Sequence, residues 1–279
     1  MMKKIDLHVH TSFSDGLLTP KEILDLAEKN KIEILAITDH DTFAGYEEAR
    51  EMAADYQIEL LPGIEISTTY KDTDVHILAY FVDVNNQVLN QELEKIQQGR
   101  YRRAEKIVKK LAEFGINLSL EKIIKLAGKN DLIGRPHIAR AMVEAGFVAN
   151  KNEAFDIYLA DGGKAYYPKP SPDPARIIQL IKAAGGVSVL AHPQTLGDDA
   201  LIYDIIAMGI DGLEVFYAKS SYETTMHLDG MALKNGLIRT GGTDFHGDSF
   251  DEEIFQVFEA PESVVAELKA KYKQRSKGE

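Results

Sequence analysis

Residues 5–27 read IDLHVHTSFSDGLLTPKEILDLA, and this stretch decides the fold class. Ile5 to Val9 reads as a strand, and Ser14-Asp15-Gly16 supplies a turn. Thr19-Pro20-Lys21-Glu22 then has the form of a capping box with proline at the first helical position, and Ile23, Leu24, Leu26 and Ala27 give the apolar face of a helix from about Pro20 to Asn30. A strand, a turn and an amphipathic helix in succession make one βα unit. The alternation continues with a strand over Ile34 to Ile37, a helix from about Phe43 to Tyr56, and a strand over Ile58 to Ser67 that Pro62-Gly63 is expected to bend. Lys71-Asp72-Thr73-Asp74 reads as a turn into a strand over Val75 to Val82, which predicts a hairpin.

From about Asn85 to Tyr166 helical periodicity takes over, with segments over Gln91 to Phe114, Leu120 to Ala127, Pro136 to Ala145 and Glu153 to Leu159. Alternation resumes with a helix opened by Asp173-Pro174, a strand over Val187 to Leu190, a helix near Leu201 to Met208 and a strand over Gly212 to Phe216. A helix near Tyr222 to Asn235, a strand over Leu237 to Thr240, a short strand over Ile254 to Phe258 and a helix from Glu262 to Tyr272 complete the chain. About seven strands result, which predicts an α/β chain built as a (β/α) barrel interrupted by a helical subdomain. The expected division is 1–84 for the first part of the barrel, 85–166 for the helical insertion and 167–279 for the second part of the barrel. The basic run from Lys269 to Lys277 reads as a solvated helix end.

Composition narrows the function. Of 279 residues, 44% are hydrophobic and 27% charged, as in a soluble globular protein, and no run approaches the ~18 apolar residues of a membrane helix. Met1-Met2-Lys3-Lys4-Ile5-Asp6 runs directly into a strand without the features of a signal peptide, so a cytoplasmic location is the expectation. The balance of 32 basic against 44 acidic residues, a formal charge of −12, argues against sequence-blind binding along long nucleic acids but permits a small anionic substrate held locally. With no cysteine, disulfides, thiolate zinc sites, iron–sulfur clusters and cysteine nucleophiles are excluded. Any metal must be held by nitrogen and oxygen.

Histidine placement is the sharpest chemical signal. His8, His10, His40, His76, His192 and His246 all fall at strand edges or in the adjoining turns. In a parallel barrel, residues at the strand C-termini converge on one rim however far apart they lie in sequence. His8 and His10, two apart on a strand, point to the same side. Taken alone, H-x-H also fits a core or surface pair. Imidazole or carboxylate recurs in Thr38-Asp39-His40-Asp41, at Glu65, in Ala191-His192-Pro193 and in Gly241-Gly242-Thr243-Asp244-Phe245-His246, each at a strand end. That recurrence predicts a shared metal site. His76 begins its strand, but an antiparallel return strand starts at the rim where its predecessor ended, which places it near Glu65.

Together these motifs resemble the polymerase and histidinol phosphatase (PHP) superfamily of metal-dependent phosphoesterases. The matching positions are His8-x-His10, Thr38 to Asp41, Pro62-Gly63-Ile64-Glu65, Val75-His76, Ala191 to Pro193 and Gly242 to His246, spread over both barrel segments. The resemblance implies a distorted seven-stranded barrel holding two or three divalent ions. By position, one ion falls to His8, His10, Glu65 and Asp244, with Glu65 bridging to a second held by His76 and His192, and a third falls to Asp15, His40 and His246. Asp15 also suits a plain turn. Asp39 and Asp41 are expected to orient imidazoles from behind or to cap the next helix.

A closer resemblance, carried by Gly134-Arg135-Pro136-His137-Ile138-Ala139-Arg140, is to the nucleoside 3′,5′-bisphosphate phosphatases and 5′–3′ exoribonucleases acting on short RNA. It implies substrate contacts from Arg135 and His137. Physically, Pro136 can open a helix whose free N–H groups attract phosphate, with Arg135 as a bidentate clamp; an ordinary proline-started helix with a surface arginine fits the same residues. Lys164 to Lys169, through Tyr166-Tyr167-Pro168, reads either as a contact to a second phosphate or base or as a linker. His227 reads as structural, and Gly185-Gly186 and Gly241-Gly242 as tight turns.

The expected activity is hydrolysis of a phosphomonoester of a nucleoside 3′,5′-bisphosphate, extending to short 5′-phosphorylated RNA, with a metal-bridging hydroxide as nucleophile. Manganese is favoured, with zinc or iron as alternatives. The proton donor to the leaving oxygen is open between His137 and a metal-bound water. The competing readings are a phosphatase for another small phosphomonoester such as histidinol phosphate, and a non-catalytic metal-binding regulatory module. Expected partners are a small phosphorylated nucleotide and short RNA, with no long duplex and no membrane.

Overall fold

The computed structural model describes residues 1–128, 132–169 and 171–277. After the short β1 (Met2–Lys3), β2 covers Ile5–Val9 with every residue buried. α1 (Pro20–Lys29) starts as its sequence dictates: the Thr19 hydroxyl accepts from the Glu22 N–H, and the Glu22 carboxylate accepts from the Thr19 N–H. Two otherwise orphaned donors of the helix end are thereby satisfied. Pro20, Ile23, Leu24 and Ala27 form its buried face.

β3 (Ile34–Ile37) and α2 (Ala44–Met52) follow, and a single 3-10 turn over Ala53–Asp55 ends the segment expected to run on to Tyr56. β4 (Glu59–Tyr70) and β5 (Thr73–Tyr80) form the expected hairpin, turning at Lys71 and Asp72, whose φ values are 47° and 61°. Pro62 lies inside β4, at the last position paired with β3, where a missing N–H costs least.

Helices then gather into a layer of their own: α3 (Gln87–Glu113), α4 (Leu120–Leu126), α5 (Arg135–Glu144) and α6 (Lys151–Ala154), the last running into a π-helical turn over Phe155–Leu159. Ile107, Leu111, Ile123, Ile138, Met142 and Leu159 belong to an apolar cluster distinct from those of the sheet. The remaining elements are α7 (Pro174–Ala183), β6 (Val187–Leu190), α8 (Asp199–Ala207), β7 (Gly212–Tyr217), α9 (Tyr222–Lys234), β8 (Ile238–Gly242), α10 (Ser249–Val257), β9 (Ala260–Pro261) and α11 (Ser263–Ser276).

The main sheet has seven strands in the order β2-β3-β4-β5-β6-β7-β8. Its pairings are parallel except where β5 runs antiparallel to β4 and β6. The two edges meet where Val9 pairs with Phe245 and the His10 N–H donates to the Phe245 carbonyl at 2.9 Å, so the sheet is a nearly closed barrel. Leu7, Ala36, Leu61, Leu78 and Val189 share one buried cluster with Val264 and Leu268 of α11.

One element differs in kind from expectation. The strand read over Ile254 to Phe258 is the end of α10, and only Ala260–Pro261 is extended. The i, i+1, i+4 spacing of Ile254, Phe255 and Phe258 suits a helix face equally well. Asp251 and Glu252 in the first turn favour the helix, and Phe255 packs on Phe245 at a ring separation of 4.8 Å.

Candidate active site

The strands deliver their polar residues to one rim. His8 lies in β2 and His10 directly after it, His40 follows β3, Glu65 is in β4, His76 in β5, His192 follows β6, and Asp244 and His246 follow β8. Asp15 reaches the same place from the loop after β2. Glu65 is 1% exposed and forms the hub. Its Oε1 lies 3.1 Å from His76 Nδ1 and 3.0 Å from His192 Nε2. Its Oε2 faces His40 Nδ1 at 2.9 Å, His10 Nε2 at 3.3 Å and His8 Nε2 at 3.5 Å. Asp244 Oδ1 is 3.2 Å from His10 Nε2 and 3.4 Å from His8 Nε2. Asp15 Oδ1 is 3.3 Å from His246 Nε2, and Asp15 Oδ2 is 3.9 Å from His40 Nε2.

Among the described residues three groups of donor atoms are compact enough to surround an ion: His10, Asp15, His40 and His246; His8, His10 and Glu65; and His40, Glu65 and His76. They overlap at His10, His40 and Glu65, so the site is one continuous cluster. His8 Nε2, His10 Nε2, His40 Nδ1, Asp15 Oδ1 and Glu65 Oε2 are buried and, despite these close approaches, make no hydrogen bond of proper geometry. A buried polar atom left unpaired is costly, and here the unpaired atoms are lone-pair donors converging from several strands. Nitrogen and carboxylate oxygen in this arrangement fit divalent cations.

The carboxylates agree with that fit, whereas a cation must displace the proton that they hold on His10. Burial pushes the carboxyls of Asp15, Glu65 and Asp244 up, but the surrounding imidazoles outweigh it and hold all three well below the usual carboxylate range. His10 is raised to about 10 by Asp244 and Glu65 against the opposing effect of burial. His76 is lowered to about 4, chiefly by burial.

A supporting residue escaped the sequence reading. Glu214, fully buried in β7, accepts from His8 Nδ1 at 2.9 Å and from the His192 N–H at 2.7 Å. A carboxylate only accepts, so the His8 proton sits on Nδ1 and Nε2 keeps its lone pair toward the cluster. The available signal was a lone acid in an otherwise apolar strand, Gly212-Leu213-Glu214-Val215-Phe216. Asp6, raised to about 7 by burial, accepts from the His8 N–H, the Thr243 N–H and the Thr243 hydroxyl, tying β2 to the loop after β8. His192, Asp244 and Asp41 hold positive φ values of 29°, 53° and 56°, a concentration of backbone strain at the rim.

Asp39 and Asp41 do other work than expected. Asp39 accepts from the Thr11 N–H, the Thr11 hydroxyl and the Ser14 hydroxyl; Asp41 accepts from the Ser67 N–H and from Arg100 Nε at 2.7 Å. Among the described residues neither hydrogen-bonds an imidazole, and the α2 N-cap, Phe43, has no side-chain cap bond. A backbone N–H and two hydroxyls claim Asp39, and a backbone N–H and a guanidinium claim Asp41. Gly241-Gly242 is likewise strand, not turn: Gly242 ends β8, where a Cβ would meet His8 Cβ at 2.4 Å.

The helical layer contributes cations. Arg135, at the start of α5, reaches Asp74 at 3.0 Å and Asp161 at 3.2 Å. It lines a cavity of about 170 Å³ with Asp15, His40, His76, Arg100, Arg103 and Lys169. Arg100, unremarked in the sequence reading, also donates to the Ser67 hydroxyl at 2.8 Å. His137 does not line this cavity. Its Nδ1 accepts from the Gly134 N–H at 3.0 Å, capping its own helix, and burial lowers it to about 4. His227 is exposed and paired with Asp199 at 2.8 Å, on the outside of the barrel.

Residues 6–100 match the PHP domain. The chain is 34% identical over 251 residues to a 5′–3′ exoribonuclease of Haemophilus influenzae, covering 88% of this chain and 91% of the relative. It is 34% identical over 251 residues to the 3′,5′-nucleoside bisphosphate phosphatase of Chromobacterium violaceum, covering 88% of each. A candidate metal-dependent phosphoesterase from Bifidobacterium adolescentis superposes on 88% of each chain with a TM-score of 0.81 and 36% identity.

Proposed function

Because this chain belongs to the PHP family of metal-dependent phosphoesterases, we propose that it hydrolyses the phosphomonoester of a nucleoside 3′,5′-bisphosphate and also acts on short 5′-phosphorylated RNA. The observation that carries this reading is the shared cavity, where Asp15, His40 and His76 of the rim face Arg100, Arg103, Arg135 and Lys169 across about 170 Å³. Such a space takes a small group bearing several negative charges.

His8, His10, Asp15, His40, Glu65, His76, His192, Asp244 and His246 are the proposed ligands of two or three divalent ions, manganese favoured. When bound, these ions supply Lewis-acid charge at the phosphoryl oxygens and an activated water for in-line attack. The protein's own groups do the positioning. Glu214 fixes the His8 tautomer, Asp41 holds the Arg100 guanidinium beside the cavity, and Arg135, braced by Asp74 and Asp161, adds charge where phosphate oxygens bind. His137 does not line the cavity, so this reading gives it no part in passing a proton to the leaving oxygen. The regulatory-module reading receives no support, since the relatives that match nearly this whole chain are named as enzymes.

The test is phosphate release from adenosine 3′,5′-bisphosphate, short 5′-phosphorylated RNA and histidinol phosphate, in chelator and after adding manganese. Manganese-dependent turnover of the bisphosphate is expected, with KM raised about tenfold or more in Arg135→Ala through loss of charge-assisted hydrogen bonds. Turnover of histidinol phosphate alone would refute the assignment.

A further inference from the structure

Beside the cavity lies a groove of about 360 Å³ lined by Arg102, Arg103, Lys106, Tyr167, Pro168 and Lys169. Arg103 and Lys169 line both spaces, so groove and cavity adjoin across these two side chains. We propose that this groove is a binding track for single-stranded RNA, holding the backbone and bases that follow the 5′-terminal nucleotide in the cavity. The inference rests on the reading of the site as one for 5′-phosphorylated nucleotides and extends it from a mononucleotide pocket to a strand-binding surface.

Charge is the first argument. Among the described residues no acidic side chain lines the groove, in a chain whose formal charge is −12. Arg102 and Lys106 stand four apart on α3, and Arg103 and Lys106 three apart, spacings that keep them neighbours on one side of the helix. From Arg100 to Lys106 the helix rises about 9 Å, so positive charge continues well past the cavity in the direction an extended strand would take.

The second argument is an unmet need. Arg103 is only 8% exposed; its Nε donates to the Tyr167 carbonyl at 2.8 Å, yet its Nη2 is buried without a partner. Lys169 forms no ion pair with a described residue. Cations brought together in this way are matched by an anion, and successive phosphodiesters supply one after another. The third is the aromatic wall: Tyr167, half-buried beside Pro168, offers a ring to a base, and Tyr166 lies under Arg103 at 5.8 Å from its ring centre. Cationic side chains alternating with aromatic faces are the means by which proteins hold single strands without reading their sequence.

The experiment compares wild type with R102E/K106E, both positions being exposed on α3. Manganese-loaded enzyme is assayed on adenosine 3′,5′-bisphosphate and on 5′-phosphorylated pentauridylate. Binding of the pentamer, labelled at its 3′ end, is followed by fluorescence anisotropy in chelator from 50 to 200 mM salt. The expected result is a loss of about tenfold or more in pentamer affinity and kcat/KM with bisphosphate turnover within about twofold of wild type. The slope of log affinity against log salt should shrink by about 1.4, the value for two lost phosphate contacts on a single strand. Pentamer binding and salt slope equal in the two proteins would overturn the track while leaving the bisphosphatase reading intact. Failure of wild type to turn over the bisphosphate, with pentamer binding still lost in the variant, would overturn that reading and leave the track standing.

Discussion

Replacing Glu214 by glutamine tests how the rim is held in register. In the wild type each carboxylate oxygen meets one donor, His8 Nδ1 at 2.9 Å and the His192 N–H at 2.7 Å, inside a fully buried site. Glutamine has one acceptor and one donor end. If its NH2 turns to His8, Nδ1 must accept and the proton moves to Nε2, which removes the lone pair facing Glu65 and Asp244. If the NH2 turns to His192, two donors oppose each other and a buried N–H goes unpaired, at about 1–3 kcal/mol. Either orientation weakens the cluster, and groups that orient a metal-binding imidazole are typically worth about 10–100-fold in metal affinity or activity. At about 1.4 kcal/mol per factor of ten, that is about 1.4–2.8 kcal/mol. Manganese titration of the metal-free protein by calorimetry, beside phosphate release at saturating manganese, measures both. A urea melt of the metal-free proteins separates the stability cost from the loss of binding. An E214Q protein whose manganese affinity and turnover stay within twofold of wild type would refute the claim that Glu214 sets the His8 tautomer.

Two further perturbations probe the scaffold. Gly242→Ala places a Cβ 2.4 Å from His8 Cβ and 2.7 Å from His8 N; β8 and β2 must part, so a stability loss of about 1–3 kcal/mol in urea is expected together with weaker manganese binding. Arg275→Ala removes a two-point pair with Asp211, whose contacts are 2.6 and 2.9 Å, and should cost about 2 kcal/mol at pH 6, between an exposed pair and a fully buried one. Burial pushes the Asp211 carboxyl up, but hydrogen bonds from Arg275 and Ser188 hold it below its ordinary value. A depressed carboxyl stabilises the fold above the unfolded pKa of about 3.9, and that contribution is lost as pH falls through the folded value. The gap between wild type and Arg275→Ala in urea midpoint should therefore narrow from pH 6 to pH 3; a constant gap would count against the pairing.

What could be read before folding was whatever depends on neighbours along the chain. The capping box at Thr19, the hairpin turn at Lys71 and Asp72, the same-side placement of His8 and His10, and the recurrence of His, Asp and Glu at strand ends are local, because backbone period and turn chemistry are set within a few residues. Barrel topology then explains why such ends converge. Where local signals tie, reading fails: Ile254 to Phe258 carries apolar spacing that serves strand or helix, and the packing of Phe255 on Phe245 favours the helix. The identity of each buried charge's partner depends on which element lies across from it. Glu214 meets His8 across 206 residues of sequence, Arg100 meets Asp41 across 59, and His137 turns inward to cap α5. The sequence by itself therefore determined the ligand-type residues, the alternating barrel and the helical interruption. Tertiary structure alone decided which tautomer His8 adopts, which arginines reach the cavity and how positive charge runs on beyond it, because those depend on distances through space that no periodicity encodes.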